Sequence, residues 1–578
     1  MPFASLVIAF RTGSCGTLGN YCLIRFVQVN RHMIYPRGGH PFMREVRCVL
    51  ACMSLFMLTA SLAGGAAIKG SVKGPDGAPF MGAFVMARNS ATKITVSVLS
   101  DQNGKYHVDA LPAGEYDIRI HAIGYQADPR TDVTLTAGQN ENFDFALQPG
   151  MVKWSDMSYS QATRLWPDAP GKAKLMSRCF VCHEFQNKMA SRPRDEEGWR
   201  QIVTFMRDTM GVRGPRFTDQ DSENVIKYLT SLFSDNSVLP KSPADMPGYQ
   251  DTVHHYSGAA MKIVYVEFET GRDKMPFSAT PDKDGIAWIP MAGDVNRLGR
   301  LDPATGKITE YRVPYQKAAQ VHSAYPAPDG TVWIAEDQAR ALGKWDPKTQ
   351  QITEYFDGDF PKHTVRIDKH GTPWISPGTS QKTISRFDVE TGKFTHFPGS
   401  EEAYGIVLDK DGNCWFVQYV KDGQLGKIDA NTGKVTKWTV PSPDSRPRRI
   451  DIDPEGNIWF AEFQGGKIGE FNPKTEKFKE WALPGSKPGP YPDDENGPYP
   501  IGSDPGPYGF VLDKNQNAWY AGVSTDTFGQ LNPKTGKITE YPFTHSELTV
   551  RELFVDSQGH IWFGSAGNDR VGYFYLAK

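Results

Sequence analysis

Cysteine is scarce in this chain: there are seven in 578 residues, and four of them (Cys15, Cys22, Cys48, Cys52) lie ahead of or inside an apolar run near the start. Were that run removed, only Cys179, Cys182 and Cys414 would remain, too few for a disulfide scaffold. Charge of one sign is lacking too. The formal net charge is -2 and the basic residues are scattered, which excludes nucleic acid as an expected partner. Long hydrophobic runs are also missing. The best, within MREVRCVLACMSLFMLTASLAGGAA from Met43 to Ala67, holds about fifteen mostly apolar residues where a membrane span needs about 20. Two arginines before it and small residues after it give the pattern of a cleaved export signal. Residues 1–67 therefore read as an over-extended start, with Met33 or Met43 as the true one, plus a signal peptide. Leu50 and Ala51 make a poor lipid-attachment box ahead of Cys52. The expected location is the periplasm or otherwise outside the cytoplasm, with no membrane span after cleavage.

What is present is modular. With 39% hydrophobic residues the chain can bury several cores, about three or four domains by size statistics. From 68 to 150 short alternating strands are split by turn residues every eight to twelve positions, which predicts a small antiparallel β-sandwich. The phrases GAFV, DQNGKY and LPAGEY stand in the order of the carboxypeptidase regulatory-like (transthyretin-like) module, which this segment resembles. The resemblance implies a fold and no catalytic residues, so a spacer or adhesion role is expected.

Residues 151–236 change to helical periodicity, in GKAKLMSRCFVC, EEGWRQIVTFMRDTM and DQDSENVIKYLTSLF, and predict a small α domain. Within it Cys179-Phe180-Val181-Cys182-His183 is a C-x-x-C-H sequence, the attachment pattern of a c-type haem. Two thiols one helical turn apart can each add to a haem vinyl group, and the imidazole of His183 reaches the iron. A redox dithiol is the competing reading. The opposite axial ligand should be a soft or nitrogenous side chain on a later helix. Trp199, Val203 and Met206 share one helix face, with Met210 one turn further. The run resembles that of many small bacterial cytochromes c, which implies Met206 as ligand, with Met210 as runner-up and Met189 behind both. One of these methionines would then only pack. A cytochrome c domain with one covalent haem is expected. The Pro-rich stretch 237–250 reads as a linker.

From 251 to 578 the chain repeats itself. A tryptophan recurs at Trp288, Trp333, Trp374, Trp415, Trp459, Trp519 and Trp562, followed each time by a Gly-hydrophobic strand and a turn such as DPATGKITEY or DANTGKVTKW. Four short strands per unit with a period near 40 to 45 residues mean a β-propeller, here of seven blades. The last unit lacks its outer strand, and KIVYVEFETG at 262–271 is expected to supply it, closing the ring. The longer gap between Trp459 and Trp519 holds an insertion, GSKPGPYPDDENGPYPIGSDPGP, read as a rigid loop.

The GxxWF, IGxxD and ITEYxxP phrases resemble the virginiamycin B lyase (streptogramin lyase) family over roughly 260–578. The resemblance implies a seven-bladed propeller and a metal-assisted lyase site built from histidines on the last two blades, eleven residues before the blade tryptophan, on the channel wall. That position reads Phe277, His322, His363, Tyr404, Arg448, Tyr508 and Arg551 here. Tyr508 and Arg551 stand where the family has histidines, and Thr549 replaces a glutamate. Neither tyrosine nor arginine supplies the neutral imidazole such chemistry wants. His322, His363 and Glu336 are candidates for a relocated acid–base or divalent-metal site. Arg448, Arg551, Tyr404 and Tyr508, with Arg449, are candidates for gripping an anionic substrate. Cys414 reads as inert core.

The mainly β, multidomain chain is thus expected to be an exported haem protein. It would exchange electrons with a periplasmic donor or acceptor and act on an unidentified small-molecule or peptide substrate at the propeller. A lyase with an appended cytochrome, and a binding and relay protein without catalysis, are the alternatives. A quinone is disfavoured, because the docking phrase D-x-x-T-G-x-x-x-W is matched only loosely by Asp429 to Trp438.

Overall fold

A computed structural model describes residues 65–180, 185–208, 217–293, 296–487 and 504–578, and these fall within one compact unit, Gly64–Lys578. The expected start and signal peptide lie outside the described residues, apart from their last few positions, and so does most of the blade insertion. No helix among the described residues is long and apolar enough to cross a membrane.

The N-terminal domain is a two-layer β structure. Strand Ala66–Lys73 pairs with Lys105–Leu111 and Asn140–Asn142 in one layer. Phe84–Asn89, Thr95–Leu99, Gly114–His121 and Arg130–Leu135 form the other. Period-2 alternation puts Val72, Val85, Val108, Tyr116 and Ile118 into the shared core. The second layer does not stop at the domain edge. Thr95–Leu99 pairs antiparallel with Ile263–Glu269, Val98 opposite Val264 and Val96 opposite Val266. The segment expected to be a spacer is therefore hydrogen-bonded into the C-terminal domain.

Among the described residues three longer helices follow, Tyr159–Leu165, Glu196–Asp208 and Asp219–Leu232, with a three-residue one at Lys172–Lys174. Capping boxes start the first and the third: Ser158 with Gln161, and Thr218 with Asp221. The helices close over Leu175, Phe185, Trp199, Val225 and Leu229. Two one-turn π-helical segments, Leu175–Cys179 and Gln186–Ala190, flank the C-x-x-C-H sequence. The stretch read as a linker is not one: Leu239 and Tyr249 are buried in this same core, and the Trp154 indole donates to the Pro240 carbonyl at 2.8 Å. Its prolines suggested a spacer, but its apolar side chains have a surface to bury against.

The C-terminal region is propeller-like. Six four-stranded antiparallel sheets succeed one another from Thr280–Pro281 to Lys537–Pro542. A seventh is made from Val550–Val555, Ile561–Ser565, Arg570–Leu576 and the early strand Ile263–Glu269, whose Ile263 lies opposite Leu576. The first strand of each sheet contacts that of the next, and the seventh returns to the first. The repeated tryptophans have a structural job. An aspartate six residues earlier takes the indole N–H at 2.9–3.0 Å in five sheets, from Asp282 to Asp556. The glycine of the third strand leaves room for the residue after the tryptophan. A Cβ on Gly426 would lie 2.1 Å from the Phe416 ring, and one on Gly469 would lie 2.4 Å from Phe460.

Candidate functional site

The first strand of each sheet starts at the ring's axis, and in five of the seven its ladder is interrupted there. His322, Tyr404 and Arg448 are each an extra residue between two paired neighbours, as when Pro447 faces Glu462 and Arg449 faces Ala461. Tyr508 and Arg551 fall inside equivalent shifts. A bulge frees one side chain from the strand's alternation and re-aims it. It does so in five sheets, while Phe277 and His363 lie just ahead of the first strands of the other two.

Those side chains touch in a closed circuit. Phe277 meets His322 at 5.0 Å between ring centroids, His322 meets His363 at 3.7 Å, and His363 meets Tyr404 at 4.2 Å. The Arg448 guanidinium lies 5.1 Å from the Tyr404 ring centre and 3.4 Å from that of Tyr508. Arg551 sits 6.0 Å from Tyr508 and 3.7 Å from Phe277. Stacking of cations and rings on one another is favourable because the ring face is electron-rich, most of all away from water. Six of the seven are buried, and Arg551 is partly exposed.

Electrostatics follow from that burial. His322 is held neutral, its pKa well below the usual value, first by desolvation and then by Arg551 and Arg449. His363 is held the same way by desolvation, His322 and Arg449. His363 Nδ1 pairs with Thr364 Oγ1 at 2.9 Å. Below the ring Arg449 donates to the Arg551 carbonyl at 2.8 Å and to Thr364 Oγ1 at 3.0 Å, and it pairs with Glu552 at 3.2 Å. Glu552 also takes Arg366, at 2.9 Å. Thr364, Arg366 and Glu552 are supporting residues that no repeat signal singles out, although Glu552 directly follows a ring member.

Glu336 is not brought to the histidines. It ends the second strand of its sheet, beside Gly343 of the third, and its carboxyl is pushed up to about 9 by burial and by Glu354 of the outer strand. Among the described residues no group of three or more His, Cys, Asp or Glu is placed to hold a metal ion. Cys414 is buried, and desolvation raises its thiol pKa. Asp429 caps its own turn through Asn431 and Thr432, and Trp438 stacks on Trp415 at 5.5 Å.

In the helical domain Cys179 is half-buried against the core, Met206 is half-buried on its helix and Met189 is in the core. Cys182, His183 and Met210 lie outside the described residues. The segment just after His183 is fastened to the propeller. Asn187 gives its backbone N–H to Glu547 at 2.9 Å and its side-chain N–H to the Gly567 carbonyl at 2.8 Å, and Lys188 meets Asp273 at 3.4 Å. Ser160 binds Asp504 at 2.7 Å and the Ser524 carbonyl, also at 2.7 Å. Asp273, Asp504 and Glu547 precede the first strands, and Ser524 and Gly567 lie between second and third strands. In an antiparallel sheet these positions share one end, the end at which the ring residues sit.

Residues 67–148 match the carboxypeptidase regulatory-like domain, and residues 259–492 match the virginiamycin B lyase family. No curated protein matches the chain. Among solved structures it is similar to a selenomethionine-substituted virginiamycin B lyase from Staphylococcus aureus, with 24% identity over 55% of this chain and 100% of that one, at a TM-score of 0.47. A streptogramin B lyase gives 23% identity over 56% and 100% of the two chains, with a TM-score of 0.48. Kuenenia stuttgartiensis hydrazine synthase gives 14% identity over 53% and 97%, with a TM-score of 0.44. The chain thus carries a carboxypeptidase regulatory-like domain and a virginiamycin B lyase-like domain.

Proposed function

We propose that this is an exported c-type haem protein in which the helical domain passes electrons to or from a substrate held at the axis of the propeller. The observation that carries the reading is the docking of Asn187 and Lys188, four and five residues past His183, on the loops at the ring's end of the propeller. A tether of this kind keeps donor and acceptor together at high effective concentration.

The described residues of the helical domain fit a haem. Cys179 is half-buried at the rim of the core, where a thioether could form, and Met206 is half-exposed on the helix face one turn past Ile202. Phe205 beside it is 46% exposed, an apolar surface in want of cover. The indole N–H of Trp166, buried and without a partner among the described residues, is a donor suited to one of the carboxylates a haem carries. Cys179 and Cys182 would hold the group, and His183 and Met206 (or Met210) its iron. When bound, it supplies one-electron transfer. The propeller's own residues would orient the substrate and exclude water around it.

The match to the virginiamycin B lyase family favours a second reading, a lyase acting on its own with the cytochrome as passenger. With Tyr508 and Arg551 in the ring, such chemistry would have to use His322 and His363.

The test is an absorption spectrum of the full chain from a host able to attach haem, oxidised and dithionite-reduced, followed by candidate substrates without reductant. Substrate-driven haem reduction supports the redox reading. Substrate cleavage that survives Cys179→Ala/Cys182→Ala supports the lyase, and absence of covalent haem from the purified chain overturns the first reading.

A further inference from the structure

Two phenols meet at the axis where a repeat of hydrophobic strands has no structural need of them. Tyr404 comes from the fourth sheet and Tyr508 from the sixth, and their hydroxyl oxygens are 2.6 Å apart. Both side chains are buried, 4% and 5% exposed. Neutral O–H···O bonds span about 2.5–3.0 Å, with most near 2.7–2.8 Å. One that ends on an anionic oxygen shortens to about 2.5–2.7 Å. The surroundings fit the shorter kind. Arg448 donates to the Tyr404 hydroxyl at 3.2 Å while its guanidinium lies 3.4 Å from the Tyr508 ring centre. With its oxygen accepting from Arg448, the Tyr404 hydroxyl is free to point its own proton toward Tyr508. Arg449 and Arg551 are 5.6 and 6.0 Å from the Tyr508 ring.

We propose that Tyr404 and Tyr508 form an acid–base pair on the propeller axis, with Tyr508 as the proton acceptor toward a hydroxyl-bearing substrate. The role toward substrate rests on the substrate site proposed above, whereas the ionisation of the pair does not. In the step the substrate O–H bond breaks, an O–H bond forms on the Tyr508 oxygen, and the negative charge moves to the substrate oxygen, where Arg448, Arg449 and Arg551 still face it. Of the other titratable neighbours of Tyr404, His363 is held neutral and adds no charge, and Tyr419 packs its ring 5.1 Å away. Burial alone would raise the Tyr508 phenol, but Arg448, Arg551, Arg449 and the hydrogen bond from Tyr404 outweigh it, and its pKa lies below the ordinary tyrosine value. Tyr404 moves the other way, raised by burial against the pull of Arg448. Two phenols coupled this closely lose their protons in two steps that belong to the pair.

The experiment is an ultraviolet difference titration of the full chain against its Tyr508→Phe variant, in which any haem absorbance cancels. The expected result is a single tyrosinate band in the difference that grows in below the ordinary tyrosine pKa of about 10. A band that appears only at or above that pH overturns the proposal. Arg448→Gln guards against a Tyr508→Phe chain that fails to fold: titrated against the parent, it should move the band to higher pH, and an unmoved band also overturns the proposal. Neither outcome depends on whether a haem is attached, so a failure here is distinct from a failure of the redox reading.

Discussion

His322 and His363 show what burial costs a titratable side chain. In the unfolded chain both would titrate near pH 6.5. In the fold both are held well below that value, first by desolvation. Below pH 6.5 the unfolded state therefore takes up protons that the folded state refuses. Their contribution to stability is whole above that pH and falls as the pH drops, by about 1.4 kcal/mol per unit for each histidine. His322→Phe should flatten the acid side of the stability curve, measured by urea unfolding at several pH values, and an unchanged slope would refute the assignment. Glu336 has the opposite sign. Its carboxyl, at about 9, is protonated when folded at neutral pH and ionised when unfolded, so its contribution is whole below about pH 4.5 and is lost as the pH rises. Glu336→Gln should stabilise the chain at pH 7 by about 1–3 kcal/mol and leave it unchanged at pH 4.5. Equal effects at the two pH values would count against it.

At the scale of strands and sheets the repeated phrases become contacts. The third-strand glycine is required because the ring of the second strand crosses over it. Gly469→Ala should cost about 1–3 kcal/mol through overpacking. Phe460→Leu in the same chain should return part of that loss, a coupling a double-mutant cycle reads directly. These features were legible in the sequence because each repeats, and a repeat reports a position common to every blade. The register eleven residues before the tryptophan picks out seven side chains that the structure joins into one circuit. Glu336 fell outside the site because its strand is the second, turned toward Glu354, and no periodicity reveals which way a strand's last residue points. Glu552 was hidden for another reason. A bulge shifts alternation by one, so residues beside it change face without any change in composition. The fusion of Thr95–Leu99 with Ile263–Glu269 had no signal either, since both segments read as ordinary strands of their own domains.

The whole molecule is less modular than its sequence. One sheet of eight strands runs from Arg130–Leu135 in the N-terminal domain to Val550–Val555 in the seventh blade. Removing residues 65–150 would uncover a long edge of Ile263–Glu269, and exposed edges pair with other chains. The shortened chain should associate in a concentration-dependent way by light scattering and melt at a lower temperature than the full chain. If it stays monomeric and equally stable, the shared sheet is not holding the domains together. Amides of Thr95–Leu99 and Ile263–Glu269 should also exchange with solvent as one cooperative unit.

The pairing of Ile263 with Leu576 sets an order of events during synthesis. The strand that locks the ring is made before the first blade, and its partner Arg570–Leu576 is made only after the other blades. For that whole interval the early strand has one neighbour available, Thr95–Leu99, already folded and waiting. The N-terminal domain can therefore act as a built-in escort, keeping a sticky strand occupied on one side until Arg570–Leu576 arrives to claim the other. A chain lacking Arg570–Leu576 would keep every blade but the lock.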